Sequence, residues 1–117
     1  MYVDGFVVAV PTAKKDDYIR EARQAAAVFK EHGATRVVEC WGDDVPEGKV
    51  TSFPMAVKLE PGEVACFSWI EYPDKATRDA CHENSKADPR FADYDMSEAP
   101  FDGKRLIFGG FAAVVDE

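Results

Sequence analysis

The chain has 117 residues, 46% of them hydrophobic and 31% charged, and this composition predicts one soluble globular domain spanning residues 1–117. No apolar run approaches the roughly 20 residues that a membrane-spanning helix needs, and no secretory signal is recognisable, so a cytoplasmic location is expected. The net charge of −8, with scattered basic residues, argues against nucleic acids and anionic membranes as partners. The three cysteines lack C-x-x-C spacing and are expected to be reduced and structural.

The first third of the chain predicts a strand, a helix and a second strand. Residues 2–10 are rich in Val, Phe and Tyr and end at Pro11, as a strand would. Thr12 is a candidate cap for a helix that continues to Gly33, and a second strand is expected at about 35–42. One face of the helix is apolar at helical spacing; its residues are Tyr18, Ala22, Ala25, Ala26 and Phe29.

The rest of the chain predicts three further strands and a second helix. Residues 51–59 and 63–72 look like two strands around a Pro61-Gly62 turn, the first of them irregular because of Pro54. Asp74 is a candidate cap for a helix that ends before Pro89. Residues 88–103 read as loop with room for one helical turn, and 106–115 read as the last strand.

The predicted order of elements defines a fold class. Without the additional strand at 51–59 it is βαββαβ, the split βαβ or ferredoxin-like α+β arrangement. Two helices cover one face of such a sheet, yet the last strand is apolar on both faces. Its two sets of apolar residues are Leu106, Phe108 and Ala112, and Ile107, Phe111 and Val115. A second copy of the chain would cover the other face, so we expect a homodimer through the sheet.

Three strand-like segments each carry one carboxylate: Asp4, Glu39 and Glu71. Glu39 and Glu71 lie two residues from Trp41 and Trp69, and therefore share a strand face with them. If Glu39 stood opposite Glu71, the two carboxyl groups would form a candidate acid/base pair. The favoured alternative is that each glutamate pairs with an arginine such as Arg36 or Arg105, or faces solvent.

The remaining candidate residues have similar alternatives. Asp4 either projects into the same cleft or bonds to the backbone near Gly5. Arg105 either binds an anionic ligand or, as we favour, neutralises strand carboxylates. His82 is a conceivable general base, but a solvated helix face is the expected surrounding. The candidate catalytic residues are thus Glu39 and Glu71, the candidate ligand-binding residues are Asp4, Trp41, Trp69 and Arg105, and neither a metal nor a cofactor is expected.

Several strings along the chain resemble the YbaA-like family of uncharacterised bacterial proteins. They are YVDGFVVAVP at 2–11, VECW at 38–41, DVP at 44–46, GKVT at 48–51, FSWIEYP at 67–73, DPR at 88–90, PFDGKR at 100–105 and GGF at 109–111. The resemblance spans essentially the whole chain and implies a ferredoxin-like fold of the dimeric α/β-barrel type. It implies no activity. Some members carry a label connecting them with the RNA of the signal recognition particle, against which the acidic charge argues.

The leading functional hypothesis is a small-molecule-binding protein that uses a cleft between sheet and helices. One alternative is a cofactor-independent enzyme of the isomerase or oxygenase type, in which Glu39 or Glu71 transfers a proton. The other is a homodimer with a structural or interaction role and no ligand. A buried carboxylate with a raised pKa in an open pocket would favour the enzyme, and a preformed, largely apolar cavity in each protomer would favour binding.

Overall fold

The computed structural model describes all 117 residues. Its strands are β1 (Tyr2–Pro11), β2 (Arg36–Trp41), β3 (Glu63–Tyr72) and β4 (Ile107–Ala112). Its helices are α1 (Lys15–Glu31), α2 (Phe53–Ala56), α3 (Lys75–Ala87) and α4 (Pro89–Ala92). The strands form one antiparallel sheet in the order β2-β3-β1-β4. With α1 and α3 as the long helices, this is the α+β, βαββαβ arrangement predicted from the sequence.

Both long helices pack on the same face of the sheet, which we call the helix face. Near one end of β1, Val8 and Val10 pack with Tyr18 of α1 and Cys66 of β3. A second group on this face joins β3 to α3 and to the start of β2; its buried members are Ala34, Ile70, Tyr72 and Cys81. Burial raises the pKa of the Cys66 thiol to about 11, so this cysteine acts as a small core hydrophobe.

The opposite face, which we call the open face, is only partly covered. The segment after α2 places Val57, fully buried, against Val7 and Ala9 of β1. Beyond it the face stays apolar and accessible, since Phe67 is 45% exposed and Phe111 is 61% exposed. The sequence prediction of a sheet that is apolar on both faces and covered by helices on one is therefore confirmed.

The additional strand predicted at residues 51–59 was wrong. Ser52 caps α2 instead, because its hydroxyl accepts a hydrogen bond from the Met55 N–H at 3.1 Å. Pro54 stands in the first turn of that helix, where its missing N–H costs nothing. The segment then crosses the open face rather than pairing with the sheet, and the sheet has four strands instead of five.

The helix ends follow the sequence signals with one exception. Asp74 caps α3 by accepting from the Thr77 N–H at 2.7 Å, and Gly33 ends α1 with a left-handed φ of 122°. Thr12 does not cap α1, because a 3₁₀ turn over Thr12–Lys14 intervenes. None of the helices is both long enough and apolar enough to cross a bilayer.

Arg105 fastens the loop before β4 to the first residue of β3. Its two terminal nitrogens donate to the two carboxylate oxygens of Glu63, each at 2.7 Å. It also donates to the Lys58 carbonyl at 3.1 Å and to Asp102 at 3.2 Å. The Glu63 side chain is 8% exposed, so this two-pronged pair is largely shielded from water. The pair therefore ties three separate segments together.

We expect Glu63→Gln to destabilise the protein at neutral pH and to have little effect on its stability at acidic pH. The hydrogen bonds from Arg105 lower the pKa of Glu63, so its contribution to stability is complete above the ordinary pKa of the carboxyl and is lost as pH falls through the folded value. Thermal denaturation of wild type and variant from about pH 7 to about pH 3 should show the gap in midpoint closing. Glu60→Gln is the matched control, because Glu60 lies 4.0 Å from Arg105 and is 68% exposed.

Candidate functional site

The register of β2 and β3 separates the two candidate catalytic glutamates. Glu39 pairs with Ser68, and Glu71 pairs with Arg36. A pairing of Glu39 with Glu71 would need a shift of three residues, and an odd shift moves a side chain to the other face of the sheet. Glu39 accordingly lies on the helix face and Glu71 on the open face. The two carboxyl groups do not form an acid/base pair, and Trp41 does not stand opposite Trp69.

Glu39 is held by two hydroxyl groups rather than by an arginine. The Tyr18 hydroxyl donates to it at 2.6 Å, and the fully buried Ser68 hydroxyl donates to the same oxygen. Burial, with the Glu39 charge second, raises the pKa of Tyr18 far above its usual range, so the phenol stays a neutral donor. Trp41 packs on Tyr18 and carries Lys15 over its ring at 5.1 Å. This group links α1 to the sheet.

Glu71 belongs to a second polar group on the open face. The indole nitrogen of Trp69 donates to its carboxylate at 2.9 Å, and an Arg36 nitrogen lies 3.9 Å away. Arg105 contacts none of the three strand carboxylates singled out from the sequence, because Glu63 and Asp102 occupy it. Five of the six candidates, Glu39, Trp41, Glu71, Trp69 and Arg105, are thus divided among three places in the fold.

Asp4, the sixth candidate, lies at the centre of a polar cluster between the sheet and α3. It is 4% exposed, and three side chains from two elements surround it. The Tyr72 hydroxyl is 2.8 Å from Oδ2, His82 Nε2 is 2.7 Å from the same oxygen, and Arg78 Nε is 2.9 Å from Oδ1. We call Asp4, Tyr72, Arg78 and His82 the Asp4 cluster. It combines an acid, a phenol, a guanidinium and an imidazole.

The imidazole of His82 is only partly used by the protein. Because an ionised carboxylate can only accept, Nε2 is the donor to Asp4 and the neutral ring keeps its lone pair on Nδ1. Nδ1 has no hydrogen-bond partner within the chain, and the side chain is 35% exposed. The expectation that His82 faces solvent alone was therefore wrong. Its second nitrogen is free to exchange a proton or a hydrogen bond with a ligand.

Tyr72 and Arg78 contact Asp4 in different ways. Burial, reinforced by the hydrogen bond to Asp4, raises the pKa of Tyr72 far above its usual range, so Tyr72 remains a neutral donor. Arg78 donates Nε to Asp4 and Nη1 to Asp79 at 3.1 Å, and lies over the ring of Tyr2 at 5.4 Å. Its Nη2 has no hydrogen-bond partner in the protein.

Gly110 of β4 leaves room for the Tyr2 hydroxyl and for Arg78 beside the Asp4 cluster. It pairs with Asp4 across the sheet. A Cβ at this position would stand 2.6 Å from the Tyr2 hydroxyl and 2.7 Å from Arg78 Nη2. Both donors therefore approach the β4 backbone closely only because residue 110 has no side chain.

Sequence reasoning found Asp4, named His82 as a conceivable general base but favoured a solvated position for it, and missed Arg78. Arg78 lies three residues before the buried Cys81, and hence on the inward side of α3. A carboxylate within an apolar strand needs a cationic partner, and Arg78 was the inward-facing cation that could supply it. His82 gave a weaker signal, because it lies at the border of that face.

Two surface clefts lie elsewhere on the molecule. A cleft of about 620 Å³ lies between α1 and residues 89–100 and is lined mainly by charged side chains. Another of about 580 Å³ lies beside α2. Neither includes the Asp4 cluster, so a ligand there would be held on its solvent-facing side, at His82. No group of three or more His, Cys, Asp or Glu side chains is placed to hold a metal ion.

The fold and the strand order define an α+β, ferredoxin-like protein with a buried aspartate at the junction of sheet and helix. The family model described as "Protein of unknown function (DUF1428)" matches residues 1–103. The chain is also 59% identical, over 116 residues, to "Uncharacterized protein YbaA" of Escherichia coli strain K12, covering 99% of this chain and 98% of that protein. The chain therefore belongs to the DUF1428 family, and the resemblance drawn from the sequence is confirmed.

Two further similarities agree with this assignment. The protein of the same name from Shigella flexneri is likewise 59% identical over 116 residues, with 99% and 98% of the two chains covered. The crystal structure of an uncharacterized NIPSNAP domain protein from Burkholderia xenovorans superposes with a TM-score of 0.61 and covers 100% of both chains. At 18% sequence identity this second likeness concerns the fold alone.

Proposed function

We propose that this protein binds a small organic molecule at the Asp4 cluster and that it does so as a homodimer formed through the open face. The observation that carries the binding function is the set of donors and acceptors left over at the cluster. His82 Nδ1, Arg78 Nη2 and the Tyr2 hydroxyl make no hydrogen bond within the chain. All three belong to side chains gathered around one buried carboxylate or lying against the arginine that binds it.

An ion pair with a purely structural role would need fewer partners for Asp4 than the cluster provides. One guanidinium is enough to compensate a buried carboxylate, and Arg78 is in place at 2.9 Å. His82 adds a further hydrogen-bond donor, 2.7 Å from Asp4, whose other ring nitrogen has no partner in the chain. This surplus favours ligand binding over simple anchoring of α3.

The homodimer is supported by the open face. Its uncovered part exposes large apolar side chains of β3 and β4, with Phe67, Ile107 and Phe111 between 44% and 61% exposed. Large exposed apolar patches on single chains are typical of interaction surfaces. A second copy presents a surface of the same chemistry, and a twofold axis would bury both. The cluster on the helix face would stay accessible in such a dimer.

Proton-transfer catalysis is the second candidate, and one observation favours it. His82 is bound through one nitrogen to a carboxylate and has the other free, as a general base requires. Glu39 and Glu71 do not supply this function as a pair, since they lie on opposite faces of the sheet. Ligand-binding roles of Trp41, Trp69 and Arg105 stay predictions, because each of these side chains is engaged by another part of the chain.

The two histidines allow a direct test of ligand binding. Proton NMR of the full-length protein is recorded with small carboxylates, phosphates, amines and neutral alcohols, each at about 1 mM, since weak ligands bind in this range. We expect one class to shift the His82 ring signals saturably. His32 is an internal control, because it also contacts a carboxylate, Asp88 at 2.9 Å, but lies outside the cluster. If no class moves His82 more than His32, the binding function is wrong and a dimer with an interaction role is left.

A further inference from the structure

The Tyr2 hydroxyl and Arg78 Nη2 select the chemical class of the ligand. Both atoms lie within 3 Å of the same point above Gly110, and neither has a protein acceptor. They are two adjacent donors, one of them cationic, held without a partner. The group that satisfies a guanidinium edge and a neighbouring hydroxyl together is a carboxylate, whose two oxygens accept side by side. Asp79 does not compete for Nη2, because it accepts from Nη1 and pairs with Lys75 at 2.9 Å.

The surface next to these donors suits a flat apolar group. Phe6 and Phe108 oppose each other on β1 and β4, on the same face as Asp4 and Gly110 and one pair along the strands. Phe108 is 69% exposed, whereas Phe6 is half-buried and packs partly against the core group that contains Ile70 and Tyr72, so the accessible apolar surface here is mainly that of Phe108. A ligand with its carboxylate at Arg78 would lay its remaining atoms toward these rings or toward His82. Aromatic surfaces of this kind favour planar ligands.

His82 supplies the reactive group of this arrangement. Its Nε2–H points to Asp4, which fixes the tautomer and orients the ring. Nδ1, which has no partner in the chain, is the nitrogen that can accept a proton from a ligand. Tyr72 and Arg78 hold the Asp4 carboxylate from its other sides, so it cannot turn away from the ring. The dyad is therefore a fixed acid/base on the side of the cluster that faces solvent.

We propose that the Asp4 cluster binds small 2-oxo carboxylates with a planar apolar substituent and that His82 interconverts their keto and enol forms. This proposal rests on the proposed ligand-binding function. The Arg78 and Tyr2 donors bind the carboxylate, and His82 Nδ1 removes a proton from C3. The C3–H electron pair becomes the C2–C3 double bond of the enolate, whose charge moves to the C2 oxygen. Return of the proton to that oxygen gives the enol, and its return to C3 regenerates the ketone.

Phenylpyruvate in D₂O tests this step. Each passage through the enolate lets the imidazolium exchange its proton with solvent, so the C3 proton signal of the ketone disappears as deuterium enters. We expect wild-type protein to accelerate this loss, and His82→Asn to reduce the acceleration about 100-fold or more, the usual contribution of a general base. His32→Asn is the matched control and should leave the rate unchanged, because His32 has a similar contact with a carboxylate, Asp88 at 2.9 Å, but lies outside the Asp4 cluster.

Variants of the anion-binding part separate binding from chemistry. Arg78→Lys keeps the positive charge but loses the planar edge, so it should raise KM for exchange more than it lowers kcat. Gly110→Ala places a methyl group where the Tyr2 hydroxyl and Arg78 Nη2 now converge, and should weaken phenylpyruvate binding in the same way. Thermal denaturation of each variant verifies that it is folded. Saturable shifts of the His82 signals by phenylpyruvate report binding independently of turnover.

The outcomes distinguish this proposal from the one it rests on. Binding at His82 with exchange no faster than in His82→Asn would overturn the proton transfer and leave the binding function standing. No shift of His82 by phenylpyruvate, together with a shift by another chemical class, would overturn the ligand class only. No shift by any class would overturn both. If exchange persists in His82→Asn and falls in His32→Asn, then His32 and not His82 transfers the proton, and the proposed site at the Asp4 cluster is wrong.

Discussion

Replacing Asp4 by alanine is expected to lower the free energy of unfolding by about 3–5 kcal/mol, the usual consequence of removing one partner from a buried ion pair. Asp4 is 4% exposed, Tyr72 is fully buried and the Arg78 side chain is 16% exposed. The variant therefore leaves a buried hydroxyl and a largely buried guanidinium without their acceptor. Since small domains have about 5–15 kcal/mol of stability in total, the effect should be visible as a large drop in the urea midpoint.

Two further variants identify the cause of that loss. Asp4→Asn keeps the volume and one acceptor but removes the charge, so its stability should fall between wild type and Asp4→Ala. Asp79→Ala removes another carboxylate that contacts Arg78, but at an exposed site, and should leave the urea midpoint unchanged. An Asp4→Ala midpoint close to that of Asp79→Ala would show that the cluster does not anchor α3 to the sheet.

The elements that the sequence predicted well carry unambiguous local signals. β3 begins after a Pro-Gly turn with Gly62 at a φ of 83° and ends where Asp74 caps α3. Residues 51–59 carry two conflicting signals. Their apolar side chains occur at every second position, as in a strand, but Ser52 and Pro54 form the start of a helix. The capping hydrogen bond and the proline in the first turn favour the helix over a strand. Val57, one of the alternating apolar residues, is buried against Val7 and Ala9 on the open face.

The site was harder to predict because it depends on the pairing of distant segments. Asp4 could be recognised as a charge that needs a partner, but its partners lie on β3 and α3, 68–78 residues further along the chain. Glu39 and Glu71 looked equivalent along the sequence. Their separation follows from the register alone, which places Ser68 rather than Glu71 opposite Glu39. A strand pattern states which side chains share a face within one strand, and only the register relates the faces of two strands.

Replacing Phe111 by glutamate is expected to convert the proposed homodimer into a monomer. The Phe111 ring lies over Gly5 and Gly109, about 3.4–3.6 Å from the points where their Cβ atoms would stand, and is still 61% exposed. It therefore projects from the sheet as the most exposed large apolar side chain of the strands on the open face. Burying such a ring contributes about 1.5–3 kcal/mol, and an unpaired carboxylate in its place would also have to be desolvated.

Twofold symmetry makes each substitution act twice, so the dissociation constant should rise about 100-fold or more. Light scattering at micromolar concentration should give the mass of two chains for wild type and of one chain for Phe111→Glu. Phe108→Glu is the matched control. Phe108 lies on the same strand and is 69% exposed, but it projects from the helix face, opposite Phe6, where no second copy is expected. A monomeric wild type, or a dimer that survives Phe111→Glu but not Phe108→Glu, would contradict the open-face dimer. Loss of the dimer in Phe111→Glu but not in Phe108→Glu would support the open-face dimer. In that dimer the Asp4 cluster lies on the opposite face of each sheet, so it is accessible to its ligand in both protomers.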